Sequence, residues 1–213
     1  MKVIIIYDNT ASIPGLKSDW GFSALVEVKG RKILFDTGAN GEILLSNMQK
    51  LEISPKDIQD VFISHLHWDH TGGLASFLQL NNQVTLWIPS CLSEAKEAKE
   101  IVDVKEPVRM YEGICSTGEL EGIEQSLCVE TEKGIVVMVG CSHPRIEHIL
   151  ETASQFGTVY GIIGGLHGNR PETLRGLGLI CATHCTQYKS EIKSLYPEIY
   201  IEGGAGKTID IPL

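Results

Sequence analysis

The chain has 213 residues, with 18 Lys and Arg against 27 Asp and Glu, a net charge of −9 and 43% hydrophobic residues. That length accommodates one sizeable core and favours a single domain over residues 1–213. The acidic balance argues against a nucleic-acid partner held on a basic face and leaves a small-molecule substrate as the expected partner.

The apolar run opening at Met1 is too short for a membrane span or a signal h-region, and it reads as a first strand over Val3–Tyr7. Ser23–Val28 and Lys32–Phe35 read as two further strands joined by a turn at Gly30-Arg31, and Gly41–Leu51 has helical spacing. Ser54-Pro55-Lys56-Asp57 reads as a helix start, Val61–Ser64 as a buried strand and Val84–Pro89 as another. Ser93–Ile101, rich in Ala, Glu and Lys, predicts an exposed helix, and Asp103–Leu127 reads as irregular, a covering loop from which Arg109 and Tyr111 could reach substrate. The remainder alternates: strands at Gly134–Val139, Val159–Ile163 and Leu179–Thr183, and helices at Pro144–Gln155, Pro171–Leu177 and Gln187–Leu195. No linker, low-complexity tract or long repeat interrupts the pattern. Cys91, Cys115, Cys128, Cys141, Cys181 and Cys185 form no C-x-x-C pair and no compact disulfide framework. With no leader in evidence, reduced thiols and a cytoplasmic setting are expected.

Directly after the Val61–Ser64 strand comes His65-Leu66-His67-Trp68-Asp69-His70. In extended chain, side chains at i and i+2 share a face, so His65 and His67 can grip one ion. Asp69 and His70 follow a turn and can reach a second. Three further histidines each follow an apolar strand: His143, His167 and His184. Strand ends of an α/β sheet converge on one rim, where ligands distant in sequence meet. Two ions with about three protein ligands each need six groups. His65, His67, Asp69 and His70 supply four, and His143 and His184 complete the set. His167 could bind metal, orient substrate or donate a proton. His148 reads as a solvated helix-face residue. Asp36 could orient a metal-bound imidazole, cap the following turn, or both. Cys141 could bind or bridge metal as a thiolate, or pack as a small apolar residue. Cys185 reads as structural; Trp68 could pack beneath the ligands or flank the substrate, with core packing the expected role.

The H-x-H-x-D-H motif, with Leu34-Phe35-Asp36-Thr37-Gly38 upstream, resembles the metallo-β-lactamase superfamily. Asp19-Trp20-Gly21-Phe22-Ser23, Gly140-Cys141-Ser142-His143-Pro144, Gly164-Gly165-Leu166-His167, Thr183-His184-Cys185-Thr186 and Glu202–Lys207 narrow the resemblance to dihydropterin-phosphate synthase-like metal-dependent hydrolases. It implies an α/β (α+β) fold, a four-layer αββα sandwich with two central mixed sheets and a metal site on one edge. It also implies His65, His67, Asp69, His70 and His184 as ligands, with Asp36 behind them. The chain departs from the usual superfamily pattern: no histidine lies between His70 and His143, and Cys141 stands where a bridging Asp is expected. His143 is the natural substitute ligand.

These features lead to the expectation of a metal-dependent hydrolase with two divalent ions, zinc foremost and Fe, Mn or Ni as alternatives. Metal-bound water has a pKa of about 7, so the expected attack is by hydroxide on an ester, lactone or phosphodiester. Asp69 would orient the nucleophile and His167 would protonate the leaving group. The same ligands would also serve a transferase acting on a phosphorylated pterin or aromatic; a non-haem diiron oxidoreductase is the further alternative, one that calls for harder, carboxylate-richer ligation than this sequence offers.

Overall fold

Period-two alternation of apolar side chains builds the centre of the molecule. The computed structural model describes residues 1–89 and 97–213. Strands β1 (Lys2–Tyr7), β2 (Ser23–Val28), β3 (Arg31–Phe35), β4 (Asp60–Phe62), β5 (Thr85–Ile88) and β6 (Glu100–Asp103) lie in one sheet. Strands β7 (Val108–Tyr111), β8 (Ile114–Ser116), β9 (Leu127–Thr131), β10 (Gly134–Val139), β11 (Val159–Gly165) and β12 (Leu179–Thr183) form a second. A final strand, β13 (Thr208–Asp210), returns to the first sheet, giving the orders β13-β1-β2-β3-β4-β5-β6 and β12-β11-β10-β9-β8-β7. Both sheets are mixed: β3, β4, β5 and β6 run parallel, as do β10, β11 and β12, while the other pairs are antiparallel.

On β1, Val3 and Ile5 point between the sheets while Ile4 and Ile6 point outward to the helices. On β10, Val136 and Met138 face inward and Ile135, Val137 and Val139 outward. Each sheet therefore buries both faces, which is why its strands read as near-continuous apolar runs. Helices α1 (Gly41–Lys50) and α3 (Leu74–Leu80) cover the first sheet with Leu44, Met48, Leu74, Phe77 and Leu78. Helices α4 (Ile146–Ser154) and α5 (Lys189–Leu195) cover the second with Ile146, Ile149 and Ile192. The result is the expected αββα sandwich. The short α2 (Trp68–Thr71) precedes α3 at the rim. Asn40 starts α1 by accepting hydrogen bonds from the Glu42 and Ile43 amides. Among the described residues no helix is long and apolar enough to cross a membrane.

Several expected elements shift. The β2–β3 turn sits at Lys29-Gly30 (φ 46° and 77°), the two left-handed residues of a tight hairpin, and not at Gly30-Arg31. Ser54–Asp57 and Pro171–Leu177 contain single 3-10 turns at Pro55–Asp57 and Pro171–Leu174 in place of helices. Residues 93–96 of the expected Ser93–Ile101 helix lie outside the described residues, and Glu100-Ile101 belong to β6, where pairing with β5 overrides helical composition. The segment read as a covering loop contains β7 and β8. Tyr111 there donates its hydroxyl proton to Asp60 and lies under the Arg31 guanidinium, at the end of β4 away from His65. Arg109 pairs with Cys115 in the β7–β8 ladder. Neither is placed as a substrate contact.

Candidate metal centre

The segments that follow β1, β3, β4, β10, β11 and β12 gather on one rim of the sandwich. Four residues there adopt left-handed backbone despite their side chains: Asp36 (φ 53°), Ser142 (55°), His167 (45°) and His184 (46°). Each immediately follows a strand or lies within three residues of its end. Such backbone costs roughly 1–3 kcal/mol per residue and persists where surrounding contacts hold it, typically at functional sites.

The side chains of the motif and the later histidines meet as two adjacent triads. One donor atom each from His65, His67 and His143 lie within 4.8 Å of one another, and so do donor atoms of Asp69, His70 and His184. All six expected ligands are thus brought together. His65, Asp69, His70 and His184 form a buried floor, whereas His67 is exposed and His143 half-buried. His167 lies on the open side, its ring 5.2 Å from that of His143 and one nitrogen within 4.8 Å of the Cys141 and Cys185 sulfurs.

Hydrogen bonds behind the triads fix which nitrogen each ring presents. Asp36 accepts from the His70 Nδ1–H at 2.7 Å, and its two oxygens also accept from the Ser64 amide and hydroxyl, each at 2.7 Å. Having given its proton to Asp36, the Ser64 hydroxyl accepts from His65 Nδ1–H at 2.9 Å. Asn9 Oδ1 accepts from His184 Nδ1–H at 3.0 Å. In all three rings the proton sits on Nδ1 and the Nε2 lone pair points into the site, the orientation metal-binding histidines need. Asp36 both caps the turn after β3 and orients His70.

Two of the inward-facing nitrogens are left without other use. His143 Nε2 and His184 Nε2 are buried with no aligned hydrogen-bond partner, although Asp69 Oδ2 lies 3.3 Å from the latter. His65 Nε2 and His67 Nδ1 face each other at 3.1 Å. Two nitrogens on one tetrahedral zinc at 2.0–2.1 Å would stand about 3.3 Å apart. Buried polar atoms without partners are costly, so this convergence fits a cation and little else.

The electrostatics agree for His65, His143 and Asp69. Burial and the neighbouring imidazoles hold His65 far below the usual histidine range, and burial with His67 and His167 takes His143 down to about 4. Both rings are neutral, as ligands must be. Burial alone would lower His70 as well, but the Asp36 carboxylate outweighs it and raises the pKa. For Asp69, burial is outweighed by His184 and His70, which hold the carboxyl well below its ordinary range.

Three supporting groups stand behind the triads; Glu124 and Asp8 have no signal in the sequence pattern, and Trp20 lies in the Asp19–Ser23 stretch that carries the resemblance. Glu124, fully buried, accepts the amides of Gly140, Cys141 and Ser142 on Oε1 and that of His143 on Oε2, at 2.9–3.1 Å. Burial raises its carboxyl pKa against the pull of those amides and of His70. Three amides on one oxygen is the acceptor pattern of an ionised carboxylate. Asp8 accepts the His184 amide at 2.8 Å, beside Asn9. Trp20, 49% exposed, donates its indole N–H to Asp69 at 2.8 Å and tilts against the His184 ring. Trp68 is not core: opening α2, it is 64% exposed at the mouth. His148 sits on an exposed face against Glu121, as expected. The five described cysteines are free thiols.

Comparison with known proteins gives a consistent setting. Residues 21–109 match the family model described as the metallo-beta-lactamase superfamily. The chain is 29% identical to 7,8-dihydropterin-6-methyl-4-(beta-D-ribofuranosyl)-aminobenzene-5'-phosphate synthase of Methanocaldococcus jannaschii, covering 82% of this chain and 83% of that one. A solved metal-dependent hydrolase of the beta-lactamase superfamily superposes over 100% of both chains with a TM-score of 0.81 and 25% identity. The short form of human tRNase Z shares the fold at a TM-score of 0.64 and 15% identity, over 100% of both chains.

Proposed function

We propose that this chain, a member of the metallo-beta-lactamase superfamily, binds two divalent metal ions and hydrolyses a small ester, lactone or phosphodiester. The observation behind this reading is the pair of adjacent triads with their unpartnered, inward-facing nitrogens. His65, His67 and His143 would hold one ion, and Asp69, His70 and His184 the other. A histidine-rich set with one carboxylate suits zinc best, with Fe, Mn or Ni as alternatives. When bound, such ions supply a Lewis acid and make a water-derived nucleophile available at neutral pH.

The chain's own residues do the rest. Asp36, Ser64 and Asn9 hold the tautomers, so the imidazoles need no rearrangement during turnover. Trp20 fixes the Asp69 carboxylate beside His70 and His184. His167, exposed on the open side, can pass a proton to the leaving oxygen. Leu66 and Trp68, exposed within the motif, offer apolar surface to a small organic substrate. A cytoplasmic setting suits the free thiols.

A second reading is transfer, with a substrate nucleophile replacing water on the same residues. It is favoured by the similarity to the archaeal synthase, 29% identical over 82% of this chain.

The test is elemental analysis of protein purified without added metal, beside His143→Ala and His184→Ala, followed by turnover of ester, lactone and phosphodiester panels. About two ions per chain, falling by close to one in each variant, is expected. Metal content indifferent to both substitutions would remove the two-ion reading. A loaded protein inert on all three panels would remove hydrolysis and leave transfer.

A further inference from the structure

We propose that Cys141 and Cys185 form a redox-active pair, which a low-molecular-weight disulfide closes to a Cys141–Cys185 bond that loosens the metal centre. The bond itself stands apart from the two-ion reading above; only its effect on metal rests on that reading.

The two cysteines follow different strands of the second sheet and meet across a missing side chain. Cys141 follows β10 and Cys185 follows β12, with β11 lying between. The residue of β11 that separates them is Gly165. A Cβ there would stand 2.7 Å from Cys185 Sγ and 3.4 Å from the Cys141 Cα, so the bare glycine leaves the gap in which they approach. Across it the Cys185 thiol donates to the Cys141 carbonyl at 3.9 Å, and the two sulfurs lie within 4.8 Å of each other. Neither residue belongs to any of the three apolar clusters. Cys181, by contrast, packs between the sheets. Cys115 and Cys128 are partners across β8 and β9, yet both are sealed in the outer cluster of the second sheet.

His167 supplies what the other thiols lack. One of its nitrogens lies within 4.8 Å of both sulfurs, and the residue is exposed on the open side. Cys185 is 8% exposed against 3% for Cys141, so Cys185 is the attacking thiol. As its sulfur attacks one sulfur of the oxidant, its proton passes to His167 and the oxidant's other half leaves as a thiolate. Cys141 Sγ then attacks the Cys185 sulfur of that mixed disulfide and displaces the second half. The protons of the cysteine pair end on the two released thiols, so one disulfide is formed and one is reduced.

The consequence for metal follows from where the turns lead. Second-neighbour strands stand roughly 9.5 Å apart, whereas a disulfide holds its Cα atoms at about 4.4–6.8 Å. Closing the bond therefore draws together the turns after β10 and β12. Those turns carry His143 of one triad and His184 of the other. Glu124 binds the amides from Gly140 to His143 as one unit, so displacement at Cys141 is passed on to His143. Cys185 adjoins His184. Oxidation thus misplaces one donor of each triad at once.

The test treats the purified holoprotein with oxidised glutathione, alkylates the remaining thiols and maps peptides without reduction by mass spectrometry. A chromophoric chelator measures metal retention before oxidation, after it, and after re-reduction with a phosphine. A crosslink joining the peptides of Cys141 and Cys185 is expected, with a loss of metal retention that re-reduction restores. Cys181 and Cys185 share the tryptic peptide 176–189, so Cys181→Ser must keep the crosslink and Cys185→Ser must lose it. Cys141→Ser should stop at the mixed disulfide with glutathione on Cys185. A wild type with both thiols still open to alkylation, or a crosslink surviving Cys185→Ser, overturns the pair. A crosslink that forms while metal retention stays unchanged overturns its effect on the centre. Reduced protein that holds no metal overturns the two-ion reading, and the peptide map still decides the pair. Should Cys141→Ser or Cys185→Ser not fold, wild type and Cys181→Ser decide it alone.

Discussion

Glu124→Gln is the sharpest perturbation available, because it changes one buried oxygen to nitrogen and almost nothing else. The three contacts to Oε1, from Gly140, Cys141 and Ser142, can persist on the amide oxygen. The fourth cannot: the new NH₂ would face the His143 amide N–H, 3.0 Å away, donor against donor. Losing a hydrogen bond to an ionised acceptor costs about 1.5–3 kcal/mol. The remaining three weaken as well, since charge-assisted bonds are roughly twice as strong as neutral ones. Together these give about 3–5 kcal/mol, or a fall of roughly 6–20 °C in melting midpoint for a chain of this size.

Circular dichroism melts of wild type and Glu124→Gln at matched metal loading measure the first consequence. Competition with a chromophoric chelator measures the second, because a turn that presents His143 should not move without loosening metal. A melting midpoint within about 3 °C of wild type, with unchanged metal affinity, would show that the turn holds itself and that Glu124 is merely buried there.

Asp36→Asn should weaken metal binding roughly 10–100-fold by chelator competition, since one side chain orients His70 directly and His65 through Ser64. Trp20→Phe removes the indole N–H bond to the Asp69 carboxylate and trims the ring that tilts against His184, so about 1.5 kcal/mol, the low end for a half-exposed donor, is expected as a roughly tenfold loss confined to one of two sites in a cobalt titration. Gly164→Ala should abolish or severely impair folding, seen as loss of expression in soluble form: φ is 134° and a methyl group would overlap the Val139 carbonyl of the neighbouring strand. Removing metal by chelation should lower the melting midpoint, since an ion held at 100 times its Kd contributes about 2.7 kcal/mol.

Much of this was legible in the sequence because the informative residues are local. The motif packs four candidate ligands into six positions, and His143, His167 and His184 each follow a strand whose apolar run is plain. What was hidden depends on contacts across long separations. Glu124 acts on amides 16 to 19 residues later, from a segment that reads as irregular. Asp8 and Asn9 act on His184 from 176 and 175 residues away. Three- and four-residue strands such as β7 and β8 have too few positions to show a period, and an edge strand like β6 is decided by its neighbour. Trp68 misled because aromatic residues are usually core, and its place at the start of the four-residue α2 turns it outward.

Each triad draws on both sheets. His65, His67, Asp69 and His70 follow β4 of the first sheet, whereas His143 and His184 follow β10 and β12 of the second. An ion in either triad would therefore tie the sheets together at the rim, where protein contacts already cross. Asn9 and Asp8 reach His184, Gln125 donates to the Ile63 carbonyl, and Cys141 meets His70. The distances within the triads are thus set by how the sheets pack, through Phe35, Phe62, Val136, Met138 and Ile163 between them. Such a centre cannot be assembled loop by loop. The sandwich must dock before six donors converge, and metal bound there would stabilise the docked state, so metal affinity and inter-sheet packing would report on one equilibrium.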